Sequence, residues 1–287
     1  MMACHSHQVA RPQTALLSPM NNNRFDADAG AQMERMVQDV GRLYRERNQA
    51  LQDVTQAHHE ALFRLALAAE LRDNDTGAHI VRMGFLAEAL ALAAGQPRRW
   101  AQALRKAAPM HDVGKIGIPD AVLKKPGSFT PDERSVMNRH PELGADILGR
   151  SHIALFQLAA EVALTHHERW DGRGYPHRLA GTDIPLSGRI VAIVDCFDAL
   201  TMDRCYRPAF ADVQAMLMLR EQRGRAYDPQ LVDVFEAALP QMVALRDAVD
   251  RVEPTFAELV EGAPAVLPGA VIGDTMPDPV RRLLEAA

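Results

Sequence analysis

The sequence predicts an all-α protein, folded as a helical bundle around a polynuclear metal site. Runs that alternate polar and apolar residues, which are typical of strands, are nearly absent from the 287 residues, and aromatic content is only 5%. Helix start and stop signals recur instead. Metal-competent side chains between His111 and Asp195 are spaced by about one helical hairpin, the way in which bundles build inward-facing metal sites.

Composition limits the class of protein. A chain of 287 residues is long enough for one sizeable core with appendages, and 47% hydrophobic and 24% charged residues are ordinary for a soluble protein. A net charge of −5 argues against binding a nucleic-acid polymer. We expect no membrane insertion and no signal peptide, because no apolar run is long enough. Three cysteines (Cys4, Cys196 and Cys205) offer no disulfide framework, so the expected location is the cytoplasm.

The N-terminal part divides into two segments. Residues 1–30 are polar and irregular, and we expect them to be disordered. From Met33 onward, apolar residues fall near heptad spacing, which predicts a long helix over residues 31–60, either a helical linker or a coiled coil. Arg47 and His58 interrupt the apolar seam, so a helix folded onto its own domain and a homodimer through this helix both stay open.

Helices follow one another over residues 61–250, the predicted catalytic domain. Gly95 suits the position just after a helix, and Thr130–Glu133 matches a capping box with proline at the first helical position. Asp228 followed by proline predicts another helix start. Residues 251–287 are rich in proline and glycine and are predicted to form a flexible tail.

The metal-competent residues are His and Asp without thiolates. In His111-Asp112 the carboxylate can bridge two ions, whereas the imidazole binds only one. The adjacent pair His166-His167 suits two neighbouring ions, and His140 and Asp195 would complete the ligand shells. Such a donor set favours Fe, Mn, Zn, Co or Ni over a cysteine-rich structural zinc site.

Three longer stretches narrow the interpretation. The chain contains ELRDNDTGAHIVR, HDVGKIGIPDAVLKKPGSFTPDE and HHERWDGRGYPHRLAGTDIPLSGRIVAIVDCFDALT. Together they resemble the HD-GYP family of cyclic di-GMP phosphodiesterases, within the HD phosphohydrolase superfamily. The resemblance runs from about Ala61 to Phe235 and implies an HD-domain helical bundle preceded by the long N-terminal helix.

The resemblance implies two or three divalent metal ions, with Fe or Mn expected. Asp75 falls where some members carry a Glu that helps to hold a third ion, and its side chain is one methylene shorter, which leaves two ions or three open. The implied metal ligands are Asp75, His79, His111, Asp112, His140, His166, His167 and Asp195, with Asp112 as the bridge.

The resemblance also implies residues for substrate. Asp112 and Lys115 would be catalytic, with Lys115 contacting a phosphate, and Arg204 and Arg207 match a basic loop that holds the second phosphate or a guanine. Tyr175, in Gly174-Tyr175-Pro176, is tied to ligand recognition and to contacts with diguanylate cyclase (GGDEF) domains. A purely structural turn is the alternative for the glycine and proline of this motif.

The implied reaction is metal-dependent hydrolysis of cyclic di-GMP to linear pGpG, with a second cut to GMP as a further step. Water activated by the ions would attack the phosphorus without a protein nucleophile. Two alternatives stay open: a catalytically weak cyclic di-GMP sensor or docking module, and an HD enzyme that acts on another cyclic dinucleotide.

Overall fold

The computed structural model describes residues 22–72, 78–203 and 208–252, with side chains for residues 28–72, 78–203 and 208–251. Within these ranges every regular element is helical, which confirms the predicted all-α fold. Three short 3₁₀ turns cover Ala108–Met110, Val113–Gly117 and Gly181–Asp183. The α-helices are α1 (Asn22–Arg72), α2 (Ala78–Ala93), α3 (Arg98–Ala107), α4 (Asp120–Leu123), α5 (Pro131–Met137), α6 (His140–Leu148), α7 (Ala154–Thr165), α8 (Leu186–Thr201), α9 (Asp212–Glu221), α10 (Pro229–Ala237) and α11 (Leu239–Val252).

Helix α2 lies at the centre of the core. Thirteen of its sixteen residues are buried, and it packs against α3, α8 and α11. A helix that is apolar on nearly all sides must be enclosed by others, because no face of it is suited to water. Its buried polar residues, His79, Arg82 and Glu88, are therefore exceptions that need partners.

The predicted helix termini are confirmed where the chain carries a specific capping signal. Thr130 Oγ1 accepts a hydrogen bond from the Glu133 backbone at 3.3 Å, and Glu133 Oε2 accepts one from the Thr130 backbone at 2.7 Å. Asp228 caps α10 by accepting from the Gln230 backbone at 2.8 Å. Gly95 follows α2 with a φ of 76°, the left-handed conformation expected there.

The observed start of α1 lies upstream of the predicted start at residue 31. The helix begins at Asn22, upstream of Met33, so residues 22–30 are helical and the prediction of disorder is wrong for them. Apolar periodicity could not reveal this polar extension, because a helix already nucleated downstream adds one hydrogen bond for each residue it recruits. The predicted behaviour of residues 1–21 and 253–287 lies outside the described residues.

The chain divides into two units, Met1–Val54 and Thr55–Ala287, and the division falls within α1. The sequence places the start of the catalytic domain slightly later, at residue 61. In the first unit the large apolar residues of α1 from Met33 to Val54 are each more than half exposed. In the second unit, Leu62 and Ala66 of α1 are buried in the core.

Candidate metal centre

The predicted ligands converge at the ends of several helices. His111 and Asp112 lie between two 3₁₀ turns after α3, rather than on a helix as the sequence suggests. His166 and His167 follow the end of α7. On a continuous helix adjacent side chains diverge by about 100°, whereas a turn lets both point to one side. The other ligands in this region are His79 near the start of α2, His140 as the first residue of α6 and Asp195 within α8.

Gly114 explains why the His111-Asp112 segment can approach α6 so closely. A Cβ atom at this position would lie 1.9 Å from the His140 carbonyl oxygen and 2.5 Å from the Gly144 nitrogen. Both are backbone atoms that cannot rotate away. The glycine therefore lets the two ligand-bearing segments come together.

The described ligands form two groups. In the first, one ligand atom from each of Asp112, His140, His166 and His167 lies within 4.8 Å of the others. Asp112 Oδ1 is 3.2 Å from His140 Nε2 and 3.6 Å from His166 Nε2. This group offers three imidazoles and one carboxylate, a set that suits a first-row divalent ion.

The second group contains His79, His111 and Asp195. Asp195 Oδ1 is 3.9 Å from Nε2 of each of the two histidines. Asp112 joins the groups, because its Oδ2 lies 3.3 Å from His111 Nε2 while its Oδ1 faces the first group. This is the geometry expected of a bridging carboxylate.

Buried atoms support the fit of metal ions to this site. His111 Nε2 and Asp112 Oδ1 are buried without a hydrogen-bond partner among the described residues. Unpaired buried polar atoms are rare in folded proteins. A cation bound between these groups would satisfy both atoms, so the residues present fit the predicted metal.

Backbone carbonyls orient three of the histidines. Nδ1 of His111 donates to Ala108 O at 3.0 Å, Nδ1 of His140 to Met137 O at 2.8 Å, and Nδ1 of His166 to Ala163 O at 2.9 Å. These bonds fix the proton on Nδ1 and leave Nε2 free as a metal ligand.

The electrostatic environment favours the metal-binding protonation states in the first group. Burial lowers the pKa of His166, and burial with the neighbouring His166 and His140 holds the pKa of His167 well below its usual range. Burial opposes the charged form of Asp112, but Lys115 and His111 outweigh it and keep its pKa well below the usual range. Asp112 is therefore a carboxylate, while His166 and His167 are neutral imidazoles.

In the second group burial opposes the charged imidazoles, but Asp112 and Asp195 outweigh it and raise the pKa of His111 to about 9, and Asp198 raises the pKa of His79.

Lys115 lies beside the bridging carboxylate. Its Nζ is 2.9 Å from Asp112 Oδ2, and its side chain is 20% exposed, so it can reach both the ligand groups and an incoming anion. The segment that carries it is held by Arg72 at the end of α1. The Arg72 guanidinium donates to the carbonyls of Lys115 at 3.3 Å and Ile118 at 2.9 Å, and also to that of Ile116.

Tyr175 stacks on a ligand histidine. Its ring lies 4.7 Å from that of His167 at 26°. A Cβ atom on Gly174 would lie 2.4 Å from the Arg169 nitrogen, so the motif's glycine has a structural function. Glu168 holds the loop that follows by accepting from the backbones of His177 and Leu179 at 2.7 and 3.0 Å.

Sequence reasoning missed four residues around this centre. Asp198 and Arg82 form a buried ion pair next to His79, and Arg72 holds the Lys115 segment. Glu70 is 5% exposed, and its carboxylate interacts with the charges of His79, Asp112 and His111. Helical spacing could have indicated Asp198, which follows Asp195 by three residues on α8.

Three predicted site residues lie outside the described residues: Asp75, Arg204 and Arg207. Their assignments stay predictions.

The comparisons with known proteins agree with this geometry. A sequence profile of the HD domain family matches residues 32–231, so the chain belongs to the HD domain family, and the HD-GYP resemblance is confirmed. The chain is 44% identical over 194 residues to the 3′3′-cGAMP-specific phosphodiesterase 2 of Vibrio cholerae serotype O1, a match that covers 68% of this chain and 37% of the relative. It is 45% identical over 186 residues to the cyclic di-GMP phosphodiesterase response regulator RpfG of Xanthomonas campestris pv. campestris, covering 65% and 49%.

A solved structure shows the same fold. The crystal structure of V-cGAP3, a cyclic GMP-AMP-specific phosphodiesterase of V. cholerae, superposes with a TM-score of 0.52 at 18% identity and covers 74% of this chain and 54% of that one. The chain spans less than half the length of the two curated relatives just described. No helix within residues 22–72, 78–203 or 208–252 combines the length and apolar character needed to cross a bilayer.

Proposed function

We propose that this chain is a metal-dependent phosphodiesterase that hydrolyses cyclic di-GMP to linear pGpG, with a second cut to GMP as a further step. The position of Asp112 carries the proposal, because its two carboxylate oxygens face two separate groups of histidine ligands. A carboxylate between two ions would hold them close together, and two closely spaced ions can stabilise both the attacking and the leaving oxygen of a phosphodiester.

Two or three divalent ions, Fe or Mn, would activate water and neutralise phosphate charge when bound to these groups. Asp112 holds both metal positions. Lys115 donates to a phosphoryl oxygen, since its ammonium lies beside the bridging carboxylate and remains partly exposed. Tyr175 supports His167 and offers an aromatic edge to the bound nucleotide. In this proposal Arg204 and Arg207 hold the second phosphate or guanine, and Asp75 helps to bind a third ion.

A second cyclic dinucleotide, 3′3′-cGAMP, is an alternative substrate with specific support. A relative 44% identical to this chain is named for 3′3′-cGAMP, and relatives of similar identity are named for cyclic di-GMP. The two substrates share the phosphodiester ring and differ in one base. The metal groups act on the phosphate and cannot discriminate between them.

The test is an assay of the full chain purified without oxygen. We expect bound Fe or Mn by elemental analysis and production of pGpG from cyclic di-GMP, with slower cleavage of 3′3′-cGAMP. Treatment with a chelator should abolish turnover, and added Mn²⁺ should restore it. Binding of cyclic di-GMP without cleavage by the metal-loaded chain would favour the sensor alternative, and faster cleavage of 3′3′-cGAMP would reassign the substrate.

We also propose that the loop containing Gly174-Tyr175-Pro176, called the GYP loop here, binds diguanylate cyclase (GGDEF) domains. Glu168 fixes the loop, and Arg173, His177 and Arg178 are exposed along it, a basic rim suited to an acidic partner surface. Arg173→Glu combined with Arg178→Glu should abolish binding to a purified GGDEF domain while leaving the bound metal unchanged. Equal binding by wild type and double variant would contradict the proposal.

We propose a parallel homodimer through α1. Four residues of α1 are seven positions apart and so share one heptad position: Met33, Val40, Arg47 and Val54. In a parallel dimer, Glu46 of one helix would lie next to Arg47 of the other. A partner's Glu46 can therefore neutralise Arg47, while the apolar residues of both copies bury each other. Light scattering should give a dimer for wild type and for Gln38→Glu on the outer face, but a monomer for Leu43→Glu. A monomeric wild type would contradict the proposal.

The proposed location is the cytoplasm. The described cysteine, Cys196, is a free thiol, which suits a reducing compartment.

A further inference from the structure

The hydrogen-bond partner of Nδ1 distinguishes His79 from three other predicted metal ligands. His111, His140 and His166 each direct Nδ1 to a backbone carbonyl. His79 Nδ1 instead donates to the carboxylate of Asp198, at 2.7 Å from Oδ2. A carboxylate partner makes an imidazole a stronger ligand than a carbonyl does, and it fixes the ring and its tautomer.

Asp198 is itself held from the opposite side. Arg82 Nε donates to Oδ1 at 2.5 Å and Arg82 Nη2 to Oδ2 at 3.0 Å, while Arg82 Nη1 reaches Asp250 on α11 at 2.8 Å. Asp198 is 1% exposed. The carboxylate therefore cannot rotate without breaking its bonds to His79 and Arg82, which both lie on α2, and His79 is oriented through it.

We propose that Asp198 is a positioning residue of the metal centre, clamped by Arg82, which keeps His79 protonated on Nδ1 so that Nε2 faces Asp195 and His111. The inference rests on the metal centre of the proposed function. It assigns to Asp198 control of one ligand group, that of His79, His111 and Asp195, and not of the group that contains His140.

An amide cannot replace this carboxylate. Both neighbours of Asp198 are donors, His79 Nδ1–H on one side and the guanidinium of Arg82 on the other. Asn has a single acceptor oxygen, so its amino group must face one of these donors. Either Arg82 Nε loses its acceptor and the guanidinium keeps only its Nη2 bond to the remaining oxygen, or His79 shifts its proton to Nε2 and ceases to be a ligand.

The test measures Mn²⁺ binding by the full-length chain, with Asp198→Asn compared with wild type. We expect roughly 10–100-fold weaker binding of one ion, the usual effect of losing such an outer-shell partner, with the other ion unchanged. Glu88→Gln is the matched control. It breaks another buried ion pair of α2, with Arg105 at 3.2 Å, and the cations near Glu88 include no metal ligand. It should lower the melting temperature without changing Mn²⁺ binding.

A double-mutant cycle separates positioning from general damage. If Asp198 acts through His79, then Asp198→Asn in a His79→Ala background should cause no further loss of Mn²⁺ affinity. An additional loss equal to that in wild type would overturn the inference, as would unchanged binding in Asp198→Asn alone. A wild-type chain that binds no Mn²⁺ would overturn the proposed function and this inference with it.

The tautomer of His79 can be measured without any variant. In the Zn²⁺-loaded wild-type chain, ¹⁵N-labelled histidine spectra should show His79 with its proton on Nδ1. A proton on Nε2 would overturn the inference even if Asp198→Asn failed to fold.

Discussion

The proposed catalytic role of Lys115 depends on the position of its ammonium group beside Asp112. Its Nζ lies 2.9 Å from a carboxylate oxygen that faces the ligand group of His111. A lysine in solvent would have no such partner. Its cationic group is therefore placed where negative charge would develop on a phosphoryl oxygen.

We predict that Lys115→Ala keeps the metal ions and slows hydrolysis of cyclic di-GMP by about 10²–10³, the usual cost of removing one charge-stabilising donor. Lys124→Ala is the control, because Lys124 is 45% exposed and pairs with Asp120, away from the ligands. Kinetics and elemental analysis on both variants check the prediction. An unchanged kcat/KM for Lys115→Ala would mean that this lysine takes no part in the reaction.

At the scale of elements, the approach of the His111-Asp112 segment to α6 depends on Gly114. We predict that Gly114→Ala destabilises the protein by about 1–3 kcal/mol through overpacking and weakens metal binding, because the added Cβ would meet the His140 carbonyl. Gly30→Ala is the control, since nothing lies within 4 Å of its added Cβ. Urea unfolding and metal analysis should separate the two variants. Equal stability and metal content would refute the steric account.

We expect the free energy of unfolding to depend on pH through His59, which lies in the part of α1 that belongs to the second unit. Burial, followed by the charge of Lys106, lowers the pKa of His59 from 6.5 to about 4. The folded chain then binds fewer protons than the unfolded chain between these values. The free energy of unfolding should therefore fall as pH drops from about 6.5 to 4 and level off below that.

His59→Gln should reduce this loss, whereas His152→Gln at an exposed site should not. Urea unfolding at pH 7 and pH 5, with chelator present throughout, measures the difference. The same acid sensitivity in His59→Gln and wild type would contradict the prediction.

Over the molecule as a whole, local sequence signals predicted the helices and their ends well, but they did not predict which residues surround the metal ligands. Capping boxes and turn glycines act within a few residues, so Thr130 and Gly95 could be read directly from the sequence. The ligands could be named from their residue types and motifs. Helical spacing could have indicated Asp198 beside Asp195, but its pairing with Arg82 could not be predicted, because the two residues are 116 positions apart and meet only once α2 and α8 pack together.

The proposed bridge between two metal positions at Asp112 can be tested by counting the ions bound per chain. Wild type, Asp112→Ala and His140→Ala would be loaded with Mn²⁺ and dialysed together, with folding checked by circular dichroism. We predict that Asp112→Ala loses more than one ion per chain, whereas His140→Ala loses no more than one, because His140 belongs to a single ligand group. A folded Asp112→Ala variant with the metal content of wild type would contradict the bridging role and the two-metal mechanism built on it.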